Sequence, residues 1–283
     1  MIFLLILMAL FSYITYQKLQ PSDKKPNTSN LTENADQKAK IRNFWGHYRK
    51  ATSHRIAGNW ELASLEYKNA LDINGQHEDA LFYLGNMYLE MGQYQEAENM
   101  WLGLLKQNPK SGKAHFQLGN LYLNHPEKEF FDIEKAAVKF RITFEINKEE
   151  TGSLIHSGQI LLINGELENA QSYFSAVIGS NFKSVEAHFL NGYIFWIKGE
   201  QELALNSLKK AVEYSRPKKP VEGVLGEGDT KEETYFTQSV NQSIFYNHLN
   251  ELWSVNEKDL SGEIETRYSK LNGFILEVRQ QIR

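Results

Sequence analysis

The sequence predicts an all-α solenoid of about five helical hairpins, closed by C-terminal capping helices, and three observations predict it. Small residues recur at Ala51, Gly85, Gly119, Gly158 and Gly192, in steps of 34, 34, 39 and 34 residues. Alanines recur at Ala63, Ala97, Ala136, Ala170 and Ala204, in steps of 34, 39, 34 and 34. Four residues beyond each alanine, one helical turn on, stand Tyr67, Trp101, Phe140, Phe174 and Leu208. A fixed period in this range marks a stacked repeat whose units cannot bury both faces alone.

Each unit reads as two amphipathic helices. Ala80, Leu81, Leu84 and Tyr88 recur at helical steps around Gly85, and Gly92 breaks the helix. Ala97, Met100, Trp101 and Leu104 form the second stripe, which Pro109 closes because it lacks a backbone donor. Glycine or alanine at the crossing points lets two backbones approach, and the aromatic beyond each alanine fills the gap between neighbours.

Leu81, Leu84, Gly85, Tyr88, Gly92, Ala97, Trp101 and Pro109 resemble the signature of the tetratricopeptide repeat. The third unit keeps Leu118, Gly119, Tyr122, Ala136 and Phe140 but carries a five-residue insertion near Asn124–Phe131. The other units are partial. Ala51 and Gly75 replace the first glycine and closing proline of unit one, Ser157 and Asn191 replace the leucine of units four and five, and Leu208 replaces the last aromatic. The resemblance spans roughly Phe44–Arg216 and implies a right-handed superhelix with ligands on its concave side.

Along the chain, Met1–Tyr16 carries no charge. Sixteen helical residues span about 24 Å, so a membrane crossing of ~30 Å needs Gln17–Gln20 as well, with Lys18 reaching the head groups. No basic start or small-residue cleavage site is visible, which favours a retained anchor over residues 1–20 against a cleaved signal peptide. Lys18, Lys24 and Lys25 follow the segment and bias the repeats toward the cytoplasm. Anchored repeat proteins of this kind often work on the outer side of a bacterial inner membrane, so the side stays open.

Residues 21–34 read as a polar tether and residues 35–216 as the repeat domain. Residues 217–233, rich in Gly, Pro and charge, read as a loop, and residues 234–283 as the cap. Within the cap, helical stripes run over Tyr235–Trp253 and Leu260–Val278. In the loop, Glu227 and Asp229 of Gly223–Lys231 could hold a cation or form a lid, although an ordinary connection suffices and the spacing is not that of a calcium loop.

Thirty-one basic against 35 acidic side chains leave a net charge of −4 and no electrostatic footprint for nucleic acid. With no cysteine, disulfides and thiol chemistry are excluded. No histidine pair has zinc-ligand spacing, and no nucleophile elbow or phosphate loop is present, so the reading is of a non-enzyme without cofactor or metal. His115 and His188 fall four residues before a repeat glycine, where packing accounts for them.

Candidate binding residues follow from position. Three before each small residue stand Tyr48, Phe82, Phe116, Ile155 and Phe189, and one after it Thr52, Asn86, Asn120, Gln159 and Tyr193. Side-chain amides both donate and accept, so Asn86, Asn120 and Gln159 suit the backbone of an extended peptide. The aromatic row serves either ligand contact or packing between first helices. The resemblance implies a groove asparagine, matched by Asn86 and Asn120. A carboxylate clamp needs several cations, of which Lys113 alone is evident. The expectation is a membrane-tethered scaffold that binds a partner segment, as in assembly or maturation of an envelope complex. The alternative is an oligomerisation module acting through the C-terminal helices.

Overall fold

The structure is a computed structural model that describes residues 28–124, 130–215 and 243–282. It divides into two units, Met1–Gly75 and Gln76–Arg283.

The first unit holds one hairpin, α1 (Thr28–Ile56) and α2 (Trp60–Ile73). Helix α1 takes in the last seven residues of the expected tether, since helix formers such as Ala35, Gln37 and Ala39 sustain it without an apolar stripe. Gly58 turns the chain at φ +75°, a conformation that other residues adopt at a steric cost. Ala51, Ala63 and Tyr67 are fully buried between the helices.

The second unit stacks four hairpins. They are α3 (Glu78–Glu90) with α4 (Tyr94–Gln107), α5 (Gly112–Asn124) with α6 (Ile133–Ile146), α7 (Thr151–Asn164) with α8 (Leu167–Ser180), and α9 (Val185–Ile197) with α10 (Gln201–Ser215). The all-α hairpin array thus appears at the expected period. Its repeat aromatics do what the spacing implies. A Cβ on Gly85 would lie 2.5 Å from Trp101 Nε1, on Gly119 2.8 Å from the Phe140 ring, and on Gly158 2.6 Å from Phe174. These three aromatics are fully buried, each worth about 3 kcal/mol of apolar transfer.

Local hydrogen bonds fix the turns between hairpins. His115 Nε2 lies 3.0 Å from the Pro109 carbonyl and His188 Nε2 lies 2.8 Å from that of Phe182, each six residues back. Burial lowers the pKa of both histidines, consistent with neutral rings that donate to these carbonyls. The packing role expected of both is therefore met. Beside the insertion, Phe130 is buried against the Tyr94 ring at 6.1 Å. The Asp132 amide donates to the Tyr122 carbonyl at 2.8 Å. The intervening residues 125–129 lie outside the described residues.

The C-terminal segment differs from expectation. In place of a helix to Trp253, the described part starts with a turn at Ser243, whose hydroxyl accepts from the Phe245 amide at 3.1 Å. A short α11 (Tyr246–Asn250) and two 3-10 turns (Glu251–Ser254, Glu257–Asp259) lead into α12 (Leu260–Ile282). Ile264, Tyr268, Leu271, Ile275 and Val278 form the buried stripe of α12. The helix packs on α7, α9 and α10.

Among the described residues no helix is long and apolar enough to cross a membrane. The expected anchor, most of the tether and the Gly223–Lys231 loop lie outside them.

Candidate functional site

The first helices of the second unit bring residues one repeat apart into contact. Lys113 Nζ sits 4.9 Å from the centre of the Phe82 ring and pairs with Asp79. Gln117 Nε2 donates to Asn86 Oδ1 at 3.5 Å. Phe116 packs on Phe140 at 5.8 Å and on His156 at 5.6 Å. A shared face therefore runs across α3, α5, α7 and α9.

That face has two halves of different character. On α3 and α5, Phe82, Asn86, Lys113 and Phe116 are half-buried, and Asn120 is buried at 6% exposure. Phe116 also supports its neighbour, since its ring lies 3.1 Å from where a Cβ on Gly152 would stand. Phe116 thus packs between first helices while part of its surface stays accessible. Lys113 is already matched by Asp79, so it is not the unpaired cation that a carboxylate clamp requires.

On α7 and α9 the face is covered by the chain itself, which corrects the expectation of an open surface there. Phe189 and Gln159 are fully buried and Tyr193 is 3% exposed. Tyr268 of α12 packs on Phe189 at 5.4 Å, on Tyr193 at 6.1 Å and on Trp196 at 6.2 Å. The Tyr193 hydroxyl donates to Asn272 at 2.8 Å and Trp196 Nε1 to Glu265 at 2.9 Å. Arg279 donates to the carbonyls of Ile163 at 2.6 Å and Leu162 at 3.2 Å in the last turn of α7, where the Leu162 oxygen also accepts from the Gly165 amide at 3.1 Å.

Gln159 holds a buried polar network rather than a ligand. His156 Nδ1 lies 3.0 Å from its Oε1, and its Nε2 donates to Glu186 Oε1 and, at 3.2 Å, to Ser243 Oγ. The Ser243 hydroxyl donates to the same Glu186 oxygen at 2.5 Å. Burial pushes the Glu186 carboxyl up to about 7, against the opposing pull of the Ser243 and Gln159 hydrogen bonds. Burial likewise lowers the His156 pKa. The Gln159 amide bridges the two groups, since its oxygen faces His156 while its nitrogen donates to Glu186.

In the first unit, Thr52 donates to the Tyr48 carbonyl at 2.9 Å, and Tyr48 meets the Tyr67 ring at 5.6 Å. These two candidates take part in packing within their own hairpin. Among the described residues no cluster of His, Asp and Glu could hold a metal ion.

The sequence places Tyr268 on the apolar stripe of the cap but marks no site role for it, nor for Glu186, His156, Ser243, Asn272 or Arg279. A signal existed for Tyr268 alone: Leu208 leaves the fifth hairpin without its aromatic, so some other ring had to fill that place.

Comparison with known proteins agrees with this architecture. A profile described as tetratricopeptide repeat matches residues 55–120. No curated protein matches the chain. A crystal structure of MamA protein is similar at 19% identity and TM-score 0.52, over 65% of this chain and 98% of that one. MamA 41-end from Desulfovibrio magneticus RS-1 is similar at 16% identity and TM-score 0.54, over 62% and 96%. These likenesses concern the fold. Residues 55–120 thus match a tetratricopeptide repeat, and the fold of the chain is an all-α, tetratricopeptide-like hairpin array.

Proposed function

We propose that the protein is a protein–protein interaction scaffold that binds an extended partner segment across α3 and α5, held at a membrane by residues 1–20. The observation that carries this reading is the adjacency of half-buried Phe82, Asn86 and Phe116 on consecutive first helices, with the amide beside the rings. Apolar side chains of a partner would lie on the rings, while its backbone pairs with Asn86. Such a contact binds modestly, because the partner segment loses its own conformational freedom. A place in assembly or maturation of an envelope complex fits a tethered scaffold of this kind.

A photo-crosslinking residue at Asn86, compared with one at exposed Val138 of α6, tests the reading in intact cells. Adducts specific to position 86 support it, and identical adducts from both positions refute it. Alkaline extraction of the membrane fraction tests the tether. Oligomerisation through the C-terminal helices finds less support, because the apolar stripe of α12 is already buried within the chain.

A further inference from the structure

We infer that the α7–α9 face is a helix-binding site, that α12 is its resident pseudo-ligand, and that a partner helix carrying Phe, carboxamide and Arg at the spacing of Tyr268, Asn272 and Arg279 displaces it.

The contacts of α12 are those of a ligand laid along a binding surface. Its apolar residues recur at 264, 268, 271, 275 and 278, steps of 4, 3, 4 and 3 that make a single stripe. That stripe meets Phe189 of the aromatic row and Tyr193 of the row beside it, two of the candidate binding positions in the repeat register. At either side polar groups set register and direction. Asn272 accepts from Tyr193, and Arg279 binds the carbonyls that end α7. The site thus reads three groups on one helical face: an aromatic, an amide four residues on, and an arginine seven residues after that.

The resident helix fills the site imperfectly. The Tyr268 hydroxyl is buried over Gly192 and has no hydrogen-bond partner. A buried hydroxyl without a partner loses its hydration for no return. A helix with phenylalanine at that place keeps the ring contacts and avoids the loss. The site therefore favours a partner with Phe over its own occupant. What α12 holds in its favour is covalent attachment, equivalent to an effective concentration of about millimolar order.

This site is separate from the α3–α5 face, so either assignment can fail alone. The test uses a fluorescein-labelled synthetic peptide of residues 260–282 carrying Tyr268→Phe, and the full-length chain. In the chain, Asn272→Ala with Arg279→Ala weakens the hold of α12 while leaving its apolar stripe in place. The peptide is expected to bind this chain at least about tenfold more tightly than the unaltered chain, because the tethered competitor is weakened. It is also expected to bind more tightly than the same peptide with Tyr268.

The absence of cysteine permits a second arm. A chain with Tyr193→Cys and Asn272→Cys, bridged by a reducible bis-maleimide that ties α12 to α9, should exclude the peptide, and reduction of the bridge should admit it. Equal binding to the weakened and unaltered chains, or to the bridged and reduced ones, overturns the inference, since the peptide then binds elsewhere. Failure to bind the weakened chain overturns it too, whether α12 has opened or stays protected from hydrogen exchange. The helix is then a fixed cap.

Discussion

The Tyr268 ring lies over Gly192, the place that Trp101, Phe140 and Phe174 occupy over the glycines of the three preceding hairpins. The fifth hairpin has Leu208 where those repeats have an aromatic, and its ring arrives from α12 instead. A helix from outside the repeat thereby completes the packing of the last one.

Removing the Tyr268 ring should therefore cost as much as a core truncation. Tyr268→Ala is expected to lower unfolding free energy by about 4 kcal/mol. Tyr268→Phe should raise it by about 1 kcal/mol, by deleting the unpartnered hydroxyl. Urea denaturation of the two variants checks both signs. A loss with Phe would mean that the hydroxyl has a partner after all.

Two glycines in similar helical positions should respond in opposite directions. A Cβ on Gly192 collides with the Tyr268 hydroxyl and stands 3.0 Å from the Ser207 Cβ. Gly192→Ala should cost about 2 kcal/mol through overpacking. A Cβ on Gly103 of α4 meets nothing within 4 Å. Gly103→Ala should stabilise by roughly 0.5 kcal/mol, since alanine has less chain entropy to lose. Thermal melting of the pair decides the matter.

Glu186 links stability to pH. Its carboxyl sits at about 7 in the folded chain against an ordinary 4.5, so the folded state holds a proton that the unfolded state has released. Its contribution is best below the lower value and is lost as pH rises toward the higher one, by about 3 kcal/mol in all. His156, whose folded pKa is lowered, acts oppositely and loses stability as pH falls below 6.5. Subtracting the urea midpoints of Glu186→Gln from those of the native chain cancels the histidine. That difference should fall between pH 5 and pH 7 and level off above it. A flat difference would show that Glu186 stays ionised in the fold.

Arg279 joins α12 to the end of α7 through hydrogen bonds that involve a charge. Arg279→Ala should cost about 2 kcal/mol, because the Ile163 carbonyl loses a charged donor and the Leu162 carbonyl keeps only the Gly165 amide. Arg279→Lys should recover only part of it, since an ammonium lacks the planar fork that reaches both oxygens. Faster hydrogen exchange along α12 in the alanine variant is the expected companion result.

The hairpins were legible because their causes are local. Glycines at Gly92, Gly165 and Gly199, each at positive φ, stop one helix where the periodicity breaks. The pairing of Gly85 with Trp101 repeats at a fixed spacing, so one match predicts the others. The register puts Phe82 and Asn86 on a first-helix face for the same reason. It also assigns Gln159 and Phe189 to an open surface, because it treats all hairpins alike. Nothing in their neighbourhood announces that α12 lies on top of them.

Glu186 makes the same point from the opposite side. Its counterparts in the preceding units are Asp79, Lys113 and Gly152, and its own charge marks it for solvent. It is buried because Ser243 closes over it, and the reach of Ser243 is a property of the folded chain.

The sequence by itself determined the repeat: how many hairpins form, where each turns, and which side chains lie between helices. Those features depend on residues within a few turns of each other, where spacing alone dictates contact. Only the tertiary structure decided which part of the shared face stays open. That choice depends on where a non-repeating helix comes to rest, and this is set by the shape and polarity of the assembled surface it meets.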